Sequence, residues 1–283
     1  VDSLLDATAL PHRMALFDGD HGWPPADVAA RALDWMQLQA IRSGAVPRDP
    51  RFVDSLYAAG LAHARGLETS SPVDAWREYR GLAADFAGLR DVSPASARAA
   101  ALARSPALQR QRSRRAVLAA RVRQYPGDVY AVLGTLAGSP DGGVPSATLA
   151  TLRIDALRAE QRDSLRDRDA AQAATRMLTT LSVAAGGAGS QLIRAGRYAQ
   201  AAAALRLALR AKLNDAPVCY NLARATAELG RSAEAFDALR CAVAGRAATK
   251  NDLQSEPLLA PLRADPRFAA LVRAASTTHA TPP

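Results

Sequence analysis

Apolar residues recur at helical spacing along most of the chain. From residue 50 onward the i, i+3, i+4, i+7 pattern predicts helices near 50–67, 72–87, 94–104, 106–124 and 127–137. A long one follows near 146–180, then 182–195, 198–211, 216–229, 232–245 and 266–275. The breaks carry local chemistry. Ser71-Pro72, Ser93-Pro94 and Ser105-Pro106 each pair a capping residue with a proline at the first helical position, where its missing N–H costs nothing. Ser139-Pro140-Asp141-Gly142-Gly143 reads as a loop. The start differs. Residues 12–17 read as one short strand, Asp18-Gly19-Asp20-His21-Gly22 as a turn-rich loop, and Pro24-Pro25 as the opening of a helix. On that helix Val28, Ala29, Ala32, Leu33, Trp35, Met36 and Ile41 keep helical spacing. A lone strand leaves its backbone groups unpaired, and no partner strand is predicted elsewhere.

The strongest signal is internal repetition. Residues 194–201, Arg-Ala-Gly-Arg-Tyr-Ala-Gln-Ala, match residues 228–235, Glu-Leu-Gly-Arg-Ser-Ala-Glu-Ala, at an offset of 34. At the same offset Ala204 meets Ala238, Leu205 meets Leu239, Arg206 meets Arg240 and Ala208 meets Ala242. Gly196 and Gly230 suit a left-handed turn between two helices. Ala201 and Ala235 are small where the second helix crosses the first. Leu205 and Leu239 fill the gap above, and Gly189 and Ala223 are the matching small residues on the first helices. The glycine-rich stretch 186–189 is thereby expected to serve packing. A less regular hairpin is expected near 54–87, with Ala75, Tyr79 and Leu82 on its second helix.

Composition sharpens this picture. Aromatics make up 5% of the 283 residues, so the core must rest on Ala and Leu, as close-packed helices allow. The net charge of +9 is carried by arginine, Lys212 and Lys250 being the only lysines. High Arg and Ala content fits the coding bias of a GC-rich, bacterial genome and weakens the inference from charge to nucleic acid. The arginines of 104–123 lack interleaved aromatics or a base-reading motif, and are read as a solvated helix face, with a basic adaptor for nucleic acid as the weaker alternative reading of the chain. No apolar run is long enough to span a membrane. Cys219 and Cys241 lie in helical patterns without a C-x-x-C or Cys/His cluster; two free thiols and no zinc site are expected. Asp18 and Asp20 lack the remaining ligands of a calcium loop. No cofactor or metal is implied, and the compartment is not assigned.

Residues 182–245 resemble the tetratricopeptide family, which repeats with the same period; Tyr220-Asn221-Leu222-Ala223 is a sequence often seen in its first helices. Residues 258–268 look like the closing segment that follows such repeats. The resemblance implies a mainly α, tetratricopeptide-like helical-hairpin array with a short N-terminal strand–loop–helix remnant. It also implies a concave binding face formed by Tyr220, Arg224 and Glu228, with Ser190 and Arg194 one repeat earlier. Asn221 stands where the family hydrogen-bonds a bound peptide backbone. The implied partner is a protein or peptide, an acidic one by charge.

Residues 17–23, Phe-Asp-Gly-Asp-His-Gly-Trp, resemble the last strand and histidine loop of an α/β-hydrolase of the dienelactone-hydrolase or esterase kind, and 32–36 its closing helix. This resemblance implies that His21 is the triad base of a serine hydrolase. That chemistry needs a G-x-S-x-G elbow, and none occurs in the chain. The expected organisation is therefore a hydrolase remnant over 1–43, a helical region over 44–180, repeats with a cap over 181–275 and a flexible tail over 276–283. The chain is expected to be the non-catalytic, C-terminal interaction module of a larger bacterial hydrolase, with the upstream hydrolase domain as a further partner.

Overall fold

A computed structural model describes residues 11–13, 15, 17 and 23–277. The fold is mainly α, with thirteen α-helices and no strand among the described residues. They are α1 (Ala26–Arg42), α2 (Pro50–Leu67), α3 (Pro72–Asp85), α4 (Ser93–Ala103), α5 (Pro106–Gly138), α6 (Ser146–Ala150) and α7 (Ile154–Arg162). Then come α8 (Arg168–Arg194), α9 (Tyr198–Ala211), α10 (Ala216–Glu228), α11 (Ser232–Ala244), α12 (Lys250–Ser255), a 3-10 turn (Pro257–Leu262) and α13 (Pro266–Thr277). The chain divides into two compact units, Val1–Arg114 and Arg115–Pro283, and the division falls inside α5.

In the first unit α2 packs on α3 and α3 on α4. The expected hairpin is present here, with Ala75, Tyr79 and Leu82 all buried on α3. Gly60 allows the close crossing, since a Cβ there would lie 2.5 Å from Leu82 Cδ2. Tyr57 and Phe86 meet edge to face, with ring centroids 5.1 Å apart. Glu68, just past the end of α2, ties the unit together. It accepts from Tyr79 Oη (2.6 Å) and Arg98 Nε (2.7 Å). Arg98 and then Tyr79 hold its carboxyl down to about 2, against the cost of burial. Of the expected strand, the described members His12, Arg13, Ala15 and Phe17 take no regular structure. With no sheet edge to pair with, the segment is anchored instead by Arg13, whose Nε donates to Asp85 Oδ2 at 2.8 Å.

In the second unit the sequence repeat is visible as geometry. Helix α8 packs on α9, α9 on α10, α10 on α11, and α8 also touches α10. The two hairpin turns are alike. Gly196 sits at φ +69° and Gly230 at φ +68°. Arg197 N donates to Leu192 O and Gly196 N to Ile193 O; one repeat on, Arg231 N donates to Thr226 O and Gly230 N to Ala227 O. This pair of hydrogen bonds at each helix end satisfies carbonyls that would otherwise lack partners. Ala201, Ala235, Leu205, Leu239, Ala208 and Ala242 are all fully buried. Beyond α11 the chain turns back. Leu253, Leu259 and Leu262 bury themselves, the 3-10 turn lies on α10 and α13 lies on α11. A Thr249–Asp252 capping box starts α12.

Three expectations need correction. The helices expected at 106–124 and 127–137 are one, running through Pro126. Proline removes one backbone hydrogen bond, at ~3 kcal/mol, but Tyr125, Val129, Val132 and Leu136 bury one face across it. The helix expected over 146–180 breaks at Arg153, which is left-handed at φ 49°. It breaks again before Asp167, whose side chain caps α8 by accepting from Ala170 N (3.1 Å). No break follows residue 180, because Leu181, Ser182 and Ala185 continue the buried face of α8. Finally, Cys219 and Cys241 are not free thiols: they form a disulfide between α10 and α11. Each lies in an apolar helical pattern, so neither position marks a pairing until the hairpin brings them together.

Candidate peptide-binding groove

The first helices of the two hairpins are the second half of α8 and α10. With the repeats aligned, Val183 matches Pro217, Gly186 matches Tyr220, Gly187 matches Asn221, Ser190 matches Arg224 and Arg194 matches Glu228. The second hairpin carries large polar side chains where the first carries glycine. That absence opens a groove of about 220 Å³ between α8 and the start of α10. It is lined by Ser182, Val183, Gly186, Gly187 and Ser190 of α8, by Asp215 just before α10, and by Pro217, Val218 and Asn221 of α10. Val183 is 70% exposed, an apolar side chain left at the lip.

The packing expected of the whole glycine stretch holds for part of it. A Cβ on Gly189 would lie 2.5 Å from Leu205 Cγ, so Gly189 is a crossing residue. A Cβ on Gly187 would meet nothing within 4 Å. Gly187 is therefore a bare stretch of helix facing open space.

Ser190, Asn221, Arg224 and Tyr220 come together. Ser190 Oγ donates to Gly186 O (3.0 Å) and accepts from Asn221 Nδ2 (3.1 Å). Asn221 Oδ1 accepts from Arg224 Nη1 (3.0 Å). The Asn221 amide is thus held in one orientation, beside the groove. Arg224 Nε in turn lies 2.8 Å from Glu256 Oε2, in ion-pair range though not aligned as a hydrogen bond. Arg224 also stands over the Tyr220 ring, 5.8 Å from its centroid. Tyr220 Oη reaches Asp252 O at 3.4 Å, and burial first, then Glu256, pushes its hydroxyl up to about 12. The inner face of α10 beyond Asn221 is therefore engaged by the chain's own closing segment. Arg194 and Glu228 are exposed in the last turns of α8 and α10, outside the groove. His21 lies outside the described residues.

Reasoning from sequence missed Glu256 and Asp252, which reach the site only because the 3-10 turn folds back on α10. It also missed the groove floor. One signal was available: the repeat alignment itself sets Gly187 against Asn221.

A larger cavity of about 340 Å³ lies in the first unit by Leu61, Arg65, Glu68, Tyr79, Pro94 and Arg98, where Glu68, Tyr79 and Arg98 bind one another. The arginine-rich helix is partly consumed by pairing. Arg115 Nε donates to Asp169 (3.0 Å), Arg121 binds Glu160 (3.2 Å) and Arg112 stands over Trp76. Among the described residues no three His, Cys, Asp or Glu side chains group as metal ligands, and no helix is long and apolar enough to cross a membrane. Comparisons with known protein families, curated proteins and solved structures found no match to this chain.

Proposed function

We propose that residues 182–245 are a pair of tetratricopeptide-type repeats that bind a short segment of another protein in the groove between α8 and α10. The observation that supports this is the groove's construction: bare helix at Gly187, an exposed Val183 and a fixed Asn221 amide. A site lined by apolar walls with one oriented amide suits an extended peptide with a single apolar anchor. The anchor fills the space over Gly187, and the flanking backbone meets Asn221. Arg224 is neutralised by Glu256, so the apolar anchor, rather than an acidic side chain, supplies selectivity.

The test uses a library of linear random-sequence peptides selected on the intact chain. Selected peptides should share one aliphatic or aromatic position. Gly187→Leu places a side chain in open space and should weaken their binding by about tenfold or more, with an unchanged helical circular-dichroism spectrum. Failure to select any peptide, or equal binding by Gly187→Leu, would remove the proposal.

A second reading concerns the parent protein. Trp23, Leu33 and Met36 are 96%, 66% and 60% exposed, although Leu38 and Ile41 of the same helix are buried. Burying such side chains is worth roughly 1.5–3 kcal/mol each. That uncovered face supports, together with the resemblance of 17–23 and 32–36, a covering serine-hydrolase domain encoded upstream with His21 as its base. An upstream reading frame without a G-x-S-x-G elbow, or a full-length protein whose esterase rate survives His21→Ala, would sink it.

A further inference from the structure

We propose that the Cys219–Cys241 disulfide belongs to the working protein and that the chain matures in an oxidising compartment. Cys219 is in the first turns of α10 and Cys241 in the last turn of α11. In an antiparallel hairpin these two ends are neighbours at the open end, opposite the Gly230 turn. The hairpin is thus closed at both ends, by a backbone turn at one and a covalent bond at the other. The Cα atoms are 5.9 Å apart, within the span a disulfide bridges.

The first hairpin shows what the bond replaces. One repeat earlier the counterparts are Ala185 and Leu207, buried at 0% and 4% exposure. Both belong to the apolar core that the two helices share. In the second hairpin both members of that pair are cysteine, so one contact of the repeat has been converted into a bond. A lone buried cysteine is ordinarily a small hydrophobe; two at the facing positions of one contact are a cross-link. Such bonds persist where the redox environment oxidises thiols.

The chemistry balances with a disulfide donor of the thiol–disulfide oxidoreductase class. Cys241, the less buried partner, attacks the donor disulfide as thiolate and forms a mixed disulfide, releasing one donor thiolate. Cys219 then attacks Cys241 Sγ and releases the second. The chain loses two protons and two electrons, and the donor leaves as a dithiol. Because α10 carries Asn221 and the groove wall, the bond also holds the ligand-binding helix against its partner.

The test uses the intact chain isolated from the cell that makes it, quenched with acid on lysis and treated with N-ethylmaleimide under denaturing conditions. Intact mass should show no adduct before reduction and two after it. Two adducts without reduction would overturn the proposal. A second arm compares melting with and without a thiol reductant. The wild-type midpoint should fall by several degrees on reduction, whereas Cys219→Ala/Cys241→Leu, which copies the first hairpin, should not respond. A wild-type midpoint indifferent to reductant would also overturn it. Neither readout involves a peptide, so the disulfide and the groove stand or fall separately.

Discussion

The two hairpins of the second unit share a backbone plan and differ in how its side-chain positions are used. Both turn on a glycine near φ +70° with the same pair of closing hydrogen bonds. Both cross on a buried alanine and stack a fully buried leucine above it. In α8/α9 the outer positions are Gly186 and Gly187, and the positions equivalent to the two cysteines are the buried Ala185 and Leu207. In α10/α11 the same positions hold Tyr220 and Asn221, the joint is a disulfide, and a closing segment engages what remains. The positions that make the hairpin are repeated; the positions that face outward are free to vary. Open space can therefore arise where one copy carries glycine and the other a side chain.

That comparison can be tested at its shared positions first. Leu205→Ala and Leu239→Ala should each cost about 2–5 kcal/mol, the range for a buried leucine with partial collapse of the cavity, and the two should agree within about 1 kcal/mol. Urea denaturation of each variant measures this, and widely different values would break the equivalence of the hairpins. The turns come next. Gly196→Val and Gly230→Val place a β-branched residue at positive φ and should each cost at least ~1–2 kcal/mol; an unchanged melt for either would remove that turn from the shared plan.

A smaller effect separates two neighbouring glycines. Gly187→Ala should stabilise by roughly 0.5–1 kcal/mol, because it adds helix propensity in open space. Gly189→Ala should destabilise, because its Cβ meets Leu205. The same sign for both would mean that the floor of the groove and the helix crossing are not distinct. A pH-dependent effect lies in the first unit, where an ionised hydrogen-bonded carboxyl takes the place of the disulfide and apolar packing of the array. Glu68 has its pKa lowered from 4.5 to about 2. A depressed carboxyl contributes stability that is present above about pH 4.5 and lost as pH falls through about 2. Glu68→Gln should flatten the pH dependence of unfolding in that window, read by denaturant titration at several pH values.

The repeat was legible in sequence because its constraints are local and strict. Positive φ selects glycine at 196 and 230, and a close crossing selects alanine at 201 and 235. Less was legible where a local signal competed with distant packing. Pro126 looks like a helix end, but apolar residues on both sides share a core. Arg153 breaks a helix whose apolar spacing runs on without interruption, and an arginine in the left-handed region announces itself by nothing in its neighbours. The disulfide was hidden because each cysteine is an ordinary member of an apolar face. Of the six residues expected on one binding face, Ser190, Tyr220, Asn221 and Arg224 lie together in the structure, whereas Arg194 and Glu228 lie outside the groove. The acid that neutralises Arg224 comes from beyond the second hairpin, in a segment without repeat periodicity.

The run of contacts from Ser190 through Asn221 and Arg224 to Glu256 has a thermodynamic consequence. It joins the groove wall to the segment that closes the array, so the two share one free energy. On the proposed reading, a peptide that gripped the oriented Asn221 amide would favour the arrangement in which Arg224 meets Glu256, and so the seated form of residues 250–262. Linkage is reciprocal: where peptide strengthens seating, Glu256→Ala, which loosens the seat, should weaken peptide binding. Amide exchange at Leu253 and Leu259, both fully buried, reports that strengthening directly, with slower exchange expected as the groove fills.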